Sequence, residues 1–286
     1  MKFVKPSVEY IPQENGLDGM YKQIERCGRV CYKSEDKITD SSSKGFVERM
    51  IKSNHTAMLE HGTVYLAMPL ETILPIEANG WGKYYHNPYS KSGVVCEVNG
   101  GKAVAVTTNY RVLVENGWLD DLQFLCEPTE YHTKRYTMKF ITDRGVSHEL
   151  VRHKVFSFAQ ESQRYCNYSK DKFNHKITFI EPSWNMLLSG VYNGIDEFDG
   201  DYFNHALRDT EKYYFKLLDL GWTPQQARSV LPNATKTEIV MTGFEDDWEC
   251  FFDLRLRGTT GKPHPDMQHL AQLAWNEFKD KLNLEL

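Results

Sequence analysis

The chain has 286 residues, with 34 Lys and Arg against 39 Asp and Glu for a formal charge of −5, and 41% of its residues are hydrophobic. These values exclude a disordered or collagen-like chain and weigh against a protein that coats nucleic acid by bulk positive charge. No stretch approaches the roughly 18 apolar residues of a membrane span, and the opening MKFVKPSVEYIPQ holds no apolar run of signal-peptide length. The expectation is a cytoplasmic protein with no membrane partner and no nucleic-acid partner.

In chain order, residues 17–32 read as a helix, with Met20, Ile24 and Cys27 at helical spacing. A second helix is expected over 42–54, behind serines able to cap it, with Phe46, Met50 and Ile51 as its apolar stripe. Residues 64–68 read as a strand. The stretch 69–102 is rich in glycine and carries Trp81, Tyr84, Tyr85 and Tyr89, so it reads as an inserted loop or hairpin that packs on something. A strand at 103–107 and a short helix at 110–116 come next. RYTMKFIT (135–142) is the clearest strand, since Tyr136, Met138 and Phe140 alternate with more polar neighbours. A helix is then expected to begin near Ser147.

Residues 201–220 form a strong helical pattern with Phe203, Ala206, Leu207, Tyr214 and Leu217 on one face, ended by Gly221. Thr223 and Pro224 open another helix as cap and first residue. A strand at 237–242 and helices at 246–256 and 266–281 complete the chain. Helices and strands mix without regular alternation, which favours α+β over a doubly wound sheet. The expectation is a single domain over 1–286, carrying the insertion at about 69–102.

The six cysteines (27, 31, 96, 126, 166 and 250) are scattered, and Cys27 and Cys31 are too far apart for a C-x-x-C pair, so they are expected to be reduced and structural. No G-x-G-x-x-G follows a strand, and Asn99-Gly100-Gly101-Lys102 lacks the spacing of a phosphate-binding loop. His148 to His153 reads H-E-x-x-x-H. On a helix, five residues leave the two rings about 140° apart, too far to share a metal easily.

Charge is uneven. Between residues 134 and 164 there are seven cations (134, 135, 139, 144, 152, 154, 164) and three acids (143, 149, 161), a local +4 in an acidic chain. Such a segment is either a solvated face or an anion site, in which arginine and lysine supply charge-assisted donors and Ser157 and Ser162 neutral ones.

The order of residues within that segment is more specific. RHKVFSFAQESQRY (152–165) resembles the R-H-R-x7-S signature of the flavin-dependent thymidylate synthase family. Glu60-His61-Gly62-Thr63 resembles its early E-H segment, Ala227 to Pro232 its A-R-x-x-L-P segment, and Phe251 to Arg255 its F-x-x-L-R segment; His264-Pro265 and the helical stretch after them resemble its C-terminal helix. The resemblance implies a largely antiparallel central sheet flanked by helices, in a homotetramer with sites between subunits. It implies synthesis of thymidylate (dTMP) from deoxyuridylate (dUMP), with the carbon from methylenetetrahydrofolate and the electrons from NADPH through FAD. No cysteine attacks the base in such a reaction.

By motif position, Arg152, His153 and Lys154 would contact FAD. His61 and Thr63 would lie beside the flavin, with His61 helping to position folate, and Gln160 would serve both cofactor and nucleotide. Glu149, Arg152, Glu161, Ser162, Arg164 and Arg228 would contact the nucleotide, Arg228 from a neighbouring subunit. Arg255 would touch the uracil and stabilise negative charge as the ring is activated, which makes Arg255 and His61 the catalytic candidates.

The chain departs from the pattern at Lys154 in place of Arg, at Ala159 in place of a frequent Asn, and at Gln160-Glu161 in place of Glu-Gln. Glu149 stands where Gln is frequent, Phe244 and Asp246 replace an N-x-R pattern that touches FAD in relatives, Cys250 replaces a polar residue, and Cys31 sits near a position held by Ser in some relatives. These departures keep two other readings open: a flavoprotein of the same fold acting on another pyrimidine nucleotide, and a nucleotide- or RNA-binding regulator that uses the basic segment.

Overall fold

The structure, a computed structural model, describes residues 1–71, 74–98, 101–183, 191–192, 195–196 and 199–282. The strands are β1 (Lys2–Val4), β2 (Ser7–Tyr10), β3 (Thr63–Pro69), β4 (Lys91–Val98), β5 (Gly101–Asn109), β6 (Arg135–Asp143), β7 (Ser157–Gln160), β8 (Thr178–Ile180), β9 (Val191–Tyr192), β10 (Ile195–Asp196) and β11 (Lys236–Phe244). The helices are α1 (Gly16–Tyr32), α2 (Ser42–Lys52), α3 (Gly82–Tyr85), α4 (Tyr110–Asn116), α5 (Arg144–Leu150), α6 (Asp199–Asp219), α7 (Pro224–Ala227), α8 (Glu245–Phe252) and α9 (Pro265–Leu282). Helix and sheet are mixed, and the two larger sheets are antiparallel, with strand orders β2-β6-β11-β7 and β3-β5-β4. Only β1 and β8 pair in parallel among the described residues.

The central sheet is covered on both faces. Tyr136, Met138, Phe140, Ile239 and Met241 turn to one side, where they pack with Trp248, Phe251 and Phe252 of α8 and Met267, Leu270 and Phe278 of α9. Strand alternation turns Val240 and Ala159 to the other side, against Cys27 and Val30 of α1. Each fully buried Phe, Leu or Met here contributes about 1.5–3 kcal/mol relative to exposure. The same alternation gives the α1 face a polar row. Thr137 and Thr242 are buried there, their hydroxyls 2.8 Å apart.

Local signals place the ends of the elements that matter for the site. Asp143 Oδ1 accepts from Val146 N at 2.7 Å, an N-cap that starts α5 at Arg144, three residues earlier than the expected Ser147. Helix α1 ends with Lys33 in the left-handed region (φ 48°), and Ser34 N bonds Arg29 O at 3.1 Å. That ending leaves Cys31 O to accept from Ser162 N at 3.0 Å.

The stretch at 69–102 is built into the second sheet. Strand β4 forms a hairpin with β5, and β5 pairs with β3. Trp81 and Tyr84 are buried in the cluster beneath it, with Val104, Val106, Phe46 and Leu113, whereas Tyr85 and Tyr89 stay exposed. Residues 72, 73, 99 and 100 of this stretch lie outside the described residues. Two helix-face expectations are corrected: Ile51 and Ala206 are exposed, while Met50 and Leu207 take the buried positions beside them. The six cysteines form no disulfide. No helix among the described residues is long and apolar enough to cross a membrane.

Candidate functional site

Helix α8 does not continue as an α-helix. It widens into a π turn over Asp253–Arg257, closed by Gly258 in the left-handed region (φ 70°). Such widened turns recur at functional sites. This one carries Arg255, which donates from Nε to His153 Nε2 at 3.0 Å, from Nη1 to Glu149 Oε2 at 2.8 Å and from Nη2 to the Glu149 carbonyl at 3.3 Å. The structure therefore joins three of the sequence candidates, from two segments of chain over 100 residues apart.

His153 reaches Arg255 because α5 stops at Leu150 and the chain folds back, with His153 N bonded to Leu150 O at 3.1 Å. Its ring sits edge-on to Phe156 and Phe251. Burial, and then the Arg255 charge, hold its pKa down to about 4. The imidazole is thus neutral at pH 7, with Nε2 as acceptor. His148 is exposed and does not join this cluster. No metal-binding group of three His, Cys, Asp or Glu occurs among the described residues.

Strand β7 carries the next candidates, and its pleat separates two of them. Gln160 Nε2 donates to Ser147 Oγ at 2.8 Å and to Thr237 Oγ1 at 3.2 Å, on the α9 side of the sheet. Glu161 turns to the α1 side, where its buried carboxylate pairs with Lys236 at 2.9 Å. Lys236 also binds Glu238, and Glu238 pairs with Lys33 at 2.5 Å. The two lysines hold the Glu238 carboxyl down to about 2 against the opposing effect of burial. Gln160 and Glu161 thus face different sides, and the Glu161 charge is already answered by Lys236.

His61 ends a 3-10 turn (Thr56–His61) and is fully buried. Its Nδ1 is 2.8 Å from Thr242 Oγ1, while Nε2 has no partner among the described residues. Burial, with the nearby Arg135 charge, holds its pKa down to about 3, so it is neutral. Thr63 is bound through its backbone by Gln13, at 2.8 Å in both directions, and its hydroxyl accepts from Arg135 Nη1 at 3.3 Å.

Arg152, Lys154 and Arg164 are exposed, Arg228 is half-buried, and none of the four forms an ion pair among the described residues. The structure does not join these cations to the Arg255 cluster. Ser162 is half-buried, and its hydroxyl accepts from Arg164 N at 3.4 Å. Cys31 donates its thiol to Gln160 O at 3.0 Å and so borders β7.

Two arginines that sequence reasoning counted but did not assign belong here. Arg144 donates to Glu161 O at 3.3 Å and to Thr237 Oγ1 at 3.2 Å, next to Gln160. Burial lowers its pKa, against the nearby Tyr168 and Glu161 and with a smaller contribution from the Arg228 charge. Arg135 begins β6 beside His61 and Thr63. The only sequence signal for either was membership of the +4 segment.

The comparisons with known proteins bear on this arrangement. A family model described as "Thymidylate synthase complementing protein" matches residues 128–282, which holds every candidate except His61 and Thr63. A probable flavin-dependent thymidylate synthase of Paramecium bursaria Chlorella virus 1 is 28% identical over 149 residues, half of this chain and 66% of that protein. Flavin-dependent thymidylate synthases of Geobacter sulfurreducens and Sulfolobus acidocaldarius are 32% and 34% identical over 112 and 113 residues, 39% and 40% of this chain and 43% and 38% of theirs. The matched stretches thus span less than two thirds of these relatives' own lengths. Among solved structures, a UMP/dUMP methylase, PolB of Streptomyces cacaoi bound with 5-Br dUMP, is similar at 16% identity and a TM-score of 0.46, over 98% of this chain and 93% of that one.

Proposed function

Because the chain belongs to the thymidylate synthase complementing protein family, we propose that it is a flavin-dependent thymidylate synthase: it converts dUMP to dTMP, taking the carbon from methylenetetrahydrofolate and the electrons from NADPH through FAD. The observation that carries the reading is the Arg255 cluster. A guanidinium on a π turn is bonded to Glu149 and to a neutral His153, the histidine of the R-H-K-x7-S segment.

The chain's residues suit that chemistry. Arg255 has one strong carboxylate partner and a long 3.3 Å contact from Nη2. That second fork is the one to offer a pyrimidine oxygen as negative charge builds on the ring, and a donor fixed in advance is worth most in a site from which water is excluded. Glu149 and His153 hold the guanidinium plane. Arg144, Ser162, Arg164 and Arg228 would take the nucleotide phosphate, since forked donors match its geometry. Gln160 would meet the nucleotide on its own side of the sheet. Glu161, paired with Lys236 on the opposite side, would act by fixing the strand.

The residues also fit a flavin. His61 Nε2 and Arg135 Nε are buried polar atoms without a partner among the described residues, beside Thr63, and a heterocycle rich in acceptors and carrying a phosphate tail would satisfy them. Arg152, His153, Lys154, Thr63, Gln160 and His61 are the residues that would hold it. When bound, the flavin supplies the hydride chemistry, and the protein supplies orientation and charge. Exposed cations without carboxylate partners among the described residues also suit a homotetramer in which neighbouring subunits share ligands.

Product analysis tests the reading. Purified protein is incubated with dUMP, methylenetetrahydrofolate, NADPH and FAD, and each component is omitted in turn. Formation of dTMP that fails on omission of FAD supports it; no dTMP with flavin bound, or dTMP made equally well without flavin, contradicts it.

A further inference from the structure

Strand β6 opens on Arg135, directly after Lys134, and both cations line a cavity of about 220 Å³ together with Tyr10, Gln13, Gly16 and Thr63. No Asp or Glu lines it among the described residues. Arg135 spends its donors on neutral groups: Nη1 on Glu60 O at 3.1 Å and Thr63 Oγ1 at 3.3 Å, and Nη2 on Ser157 Oγ at 3.4 Å. Its Nε is buried with no partner among the described residues. Arg135 as a whole is half-buried, and it forms no ion pair among them.

Burial holds its pKa down to about 10 against the nearby Tyr65, Glu60 and Asp247, which still leaves it charged at pH 7. Lys134 is exposed and forms no ion pair among the described residues either. Gly16 opens the seventeen-residue helix α1, whose cap residue Asn15 makes no side-chain cap bond. The first turn of α1 carries Asp18, which pairs with Lys22 at 2.9 Å.

The neighbouring cation, Lys91, is already in an ion pair. Asp246 is paired with Lys91, and Lys91 and Arg135 both stand over the Phe244 ring, at 4.8 and 5.4 Å from its centroid. The free positive charge beside Thr63 comes from β6.

We propose that Arg135, with Lys134, is an anion site for a phosphate-bearing group, and that this group is the diphosphate of the flavin dinucleotide. The assignment rests on the flavin reading above and adds to it the residues that recognise the phosphates. Phosphate fits better than an uncharged group because two adjacent cations, neither in an ion pair among the described residues, line a cavity that no Asp or Glu lines.

The test separates the flavin ring from its phosphates. Dissociation constants of riboflavin, FMN and FAD are measured by flavin fluorescence for the wild type, Arg135→Met and Arg135→Lys, with urea midpoints as a check on folding. Loss of a charge-assisted contact weakens FAD by about 10- to 100-fold in Arg135→Met, with riboflavin affinity unchanged and Arg135→Lys in between. Equal losses for riboflavin and FAD, or none for either, overturn the proposal. Loss of methylenetetrahydrofolate affinity in place of FAD affinity overturns the flavin assignment and gives the anion as a folate carboxylate.

Pyrophosphate titrated into the wild type covers the case of an unfolded variant. It should compete with FAD and not with riboflavin; competition with neither overturns the proposal. A wild type that binds no flavin but binds pyrophosphate, with that binding lost in Arg135→Met, keeps the anion site and rejects the flavin reading. Binding of neither rejects both.

Discussion

Replacing Arg255 with Ala removes three bonds at once: 3.0 Å to His153 Nε2, 2.8 Å to the Glu149 carboxylate and 3.3 Å to its carbonyl. The pair is largely shielded, with side-chain exposures of 18% for Arg255 and 22% for Glu149. A hydrogen bond to a charged group is worth about 1.5–3 kcal/mol, and partial screening trims that, so stability should fall by about 1–3 kcal/mol. A domain with about 5–15 kcal/mol to spare stays folded. Turnover should fall much further, by about 10²–10³, the cost of deleting one fixed donor at a developing charge.

His153 supplies an internal check on the same variant. Its pKa is lowered from 6.5 to about 4, first by burial and then by Arg255. Without Arg255 the second cause is gone, so the pKa rises but stays under 6.5 because burial remains. Proton NMR titration of the histidine Cε1–H resonances reads this, with His153→Asn to assign the signal, alongside dTMP formation by the same protein. Full turnover in Arg255→Ala, or a His153 titration that does not move, would refute the reasoning.

Acid should destabilise the fold early. His61 and His153 titrate at about 3 and about 4 when folded against 6.5 as the ordinary value. The unfolded chain therefore binds more protons between pH 6.5 and those values, and stability falls as pH drops through that window, by roughly 1 kcal/mol per pH unit for each histidine. Glu238, held at about 2 against 4.5, adds a further loss below pH 4.5. Urea midpoints that stay flat from pH 7 to 5 would contradict this. Arg144→Met and Arg164→Ala should each weaken dUMP by about 10-fold or more and leave FAD affinity unchanged; calorimetric titration with both ligands checks it, and unchanged dUMP affinity removes them from the phosphate site. Gly243→Ala would set a Cβ 2.5 Å from the Phe156 ring, and this overpacking should cost about 1–3 kcal/mol in thermal unfolding. A Tm equal to the wild type would show that Phe156 yields freely.

Much of the frame was legible because its periodicities are strong. Met20, Ile24 and Cys27 read as a helix face and are buried on α1. Tyr136, Met138 and Phe140 read as one face of a strand, and they pack under α8 and α9. Strand β7 was missed because four residues carry too little pattern; only its pairing with β11 makes Ser157–Gln160 a strand. That omission hid the pleat, and with it the fact that Gln160 and Glu161 point to opposite faces.

The extent of β4 was equally invisible, because Val94 and Val95 stay about half exposed and the strand is broken by a bulge at Gly93. For the site, local order brought out Glu149, His153 and Arg255 as candidates, but their mutual contact arises from a π turn that no spacing rule announces. Arg135 and Arg144 stood in view as charges; whether a cation is paired is a property of the fold, and only the structure shows that neither has a carboxylate partner among the described residues.

In the proposed reaction this chain activates the uracil of dUMP for reductive methylation. Release of tritium from dUMP labelled at carbon five of the uracil, in the presence of methylenetetrahydrofolate and NADPH, tests it most directly. The expected result is release that depends on added FAD and is lost in Arg255→Ala. Retained tritium in a wild type shown to bind both FAD and dUMP would contradict it.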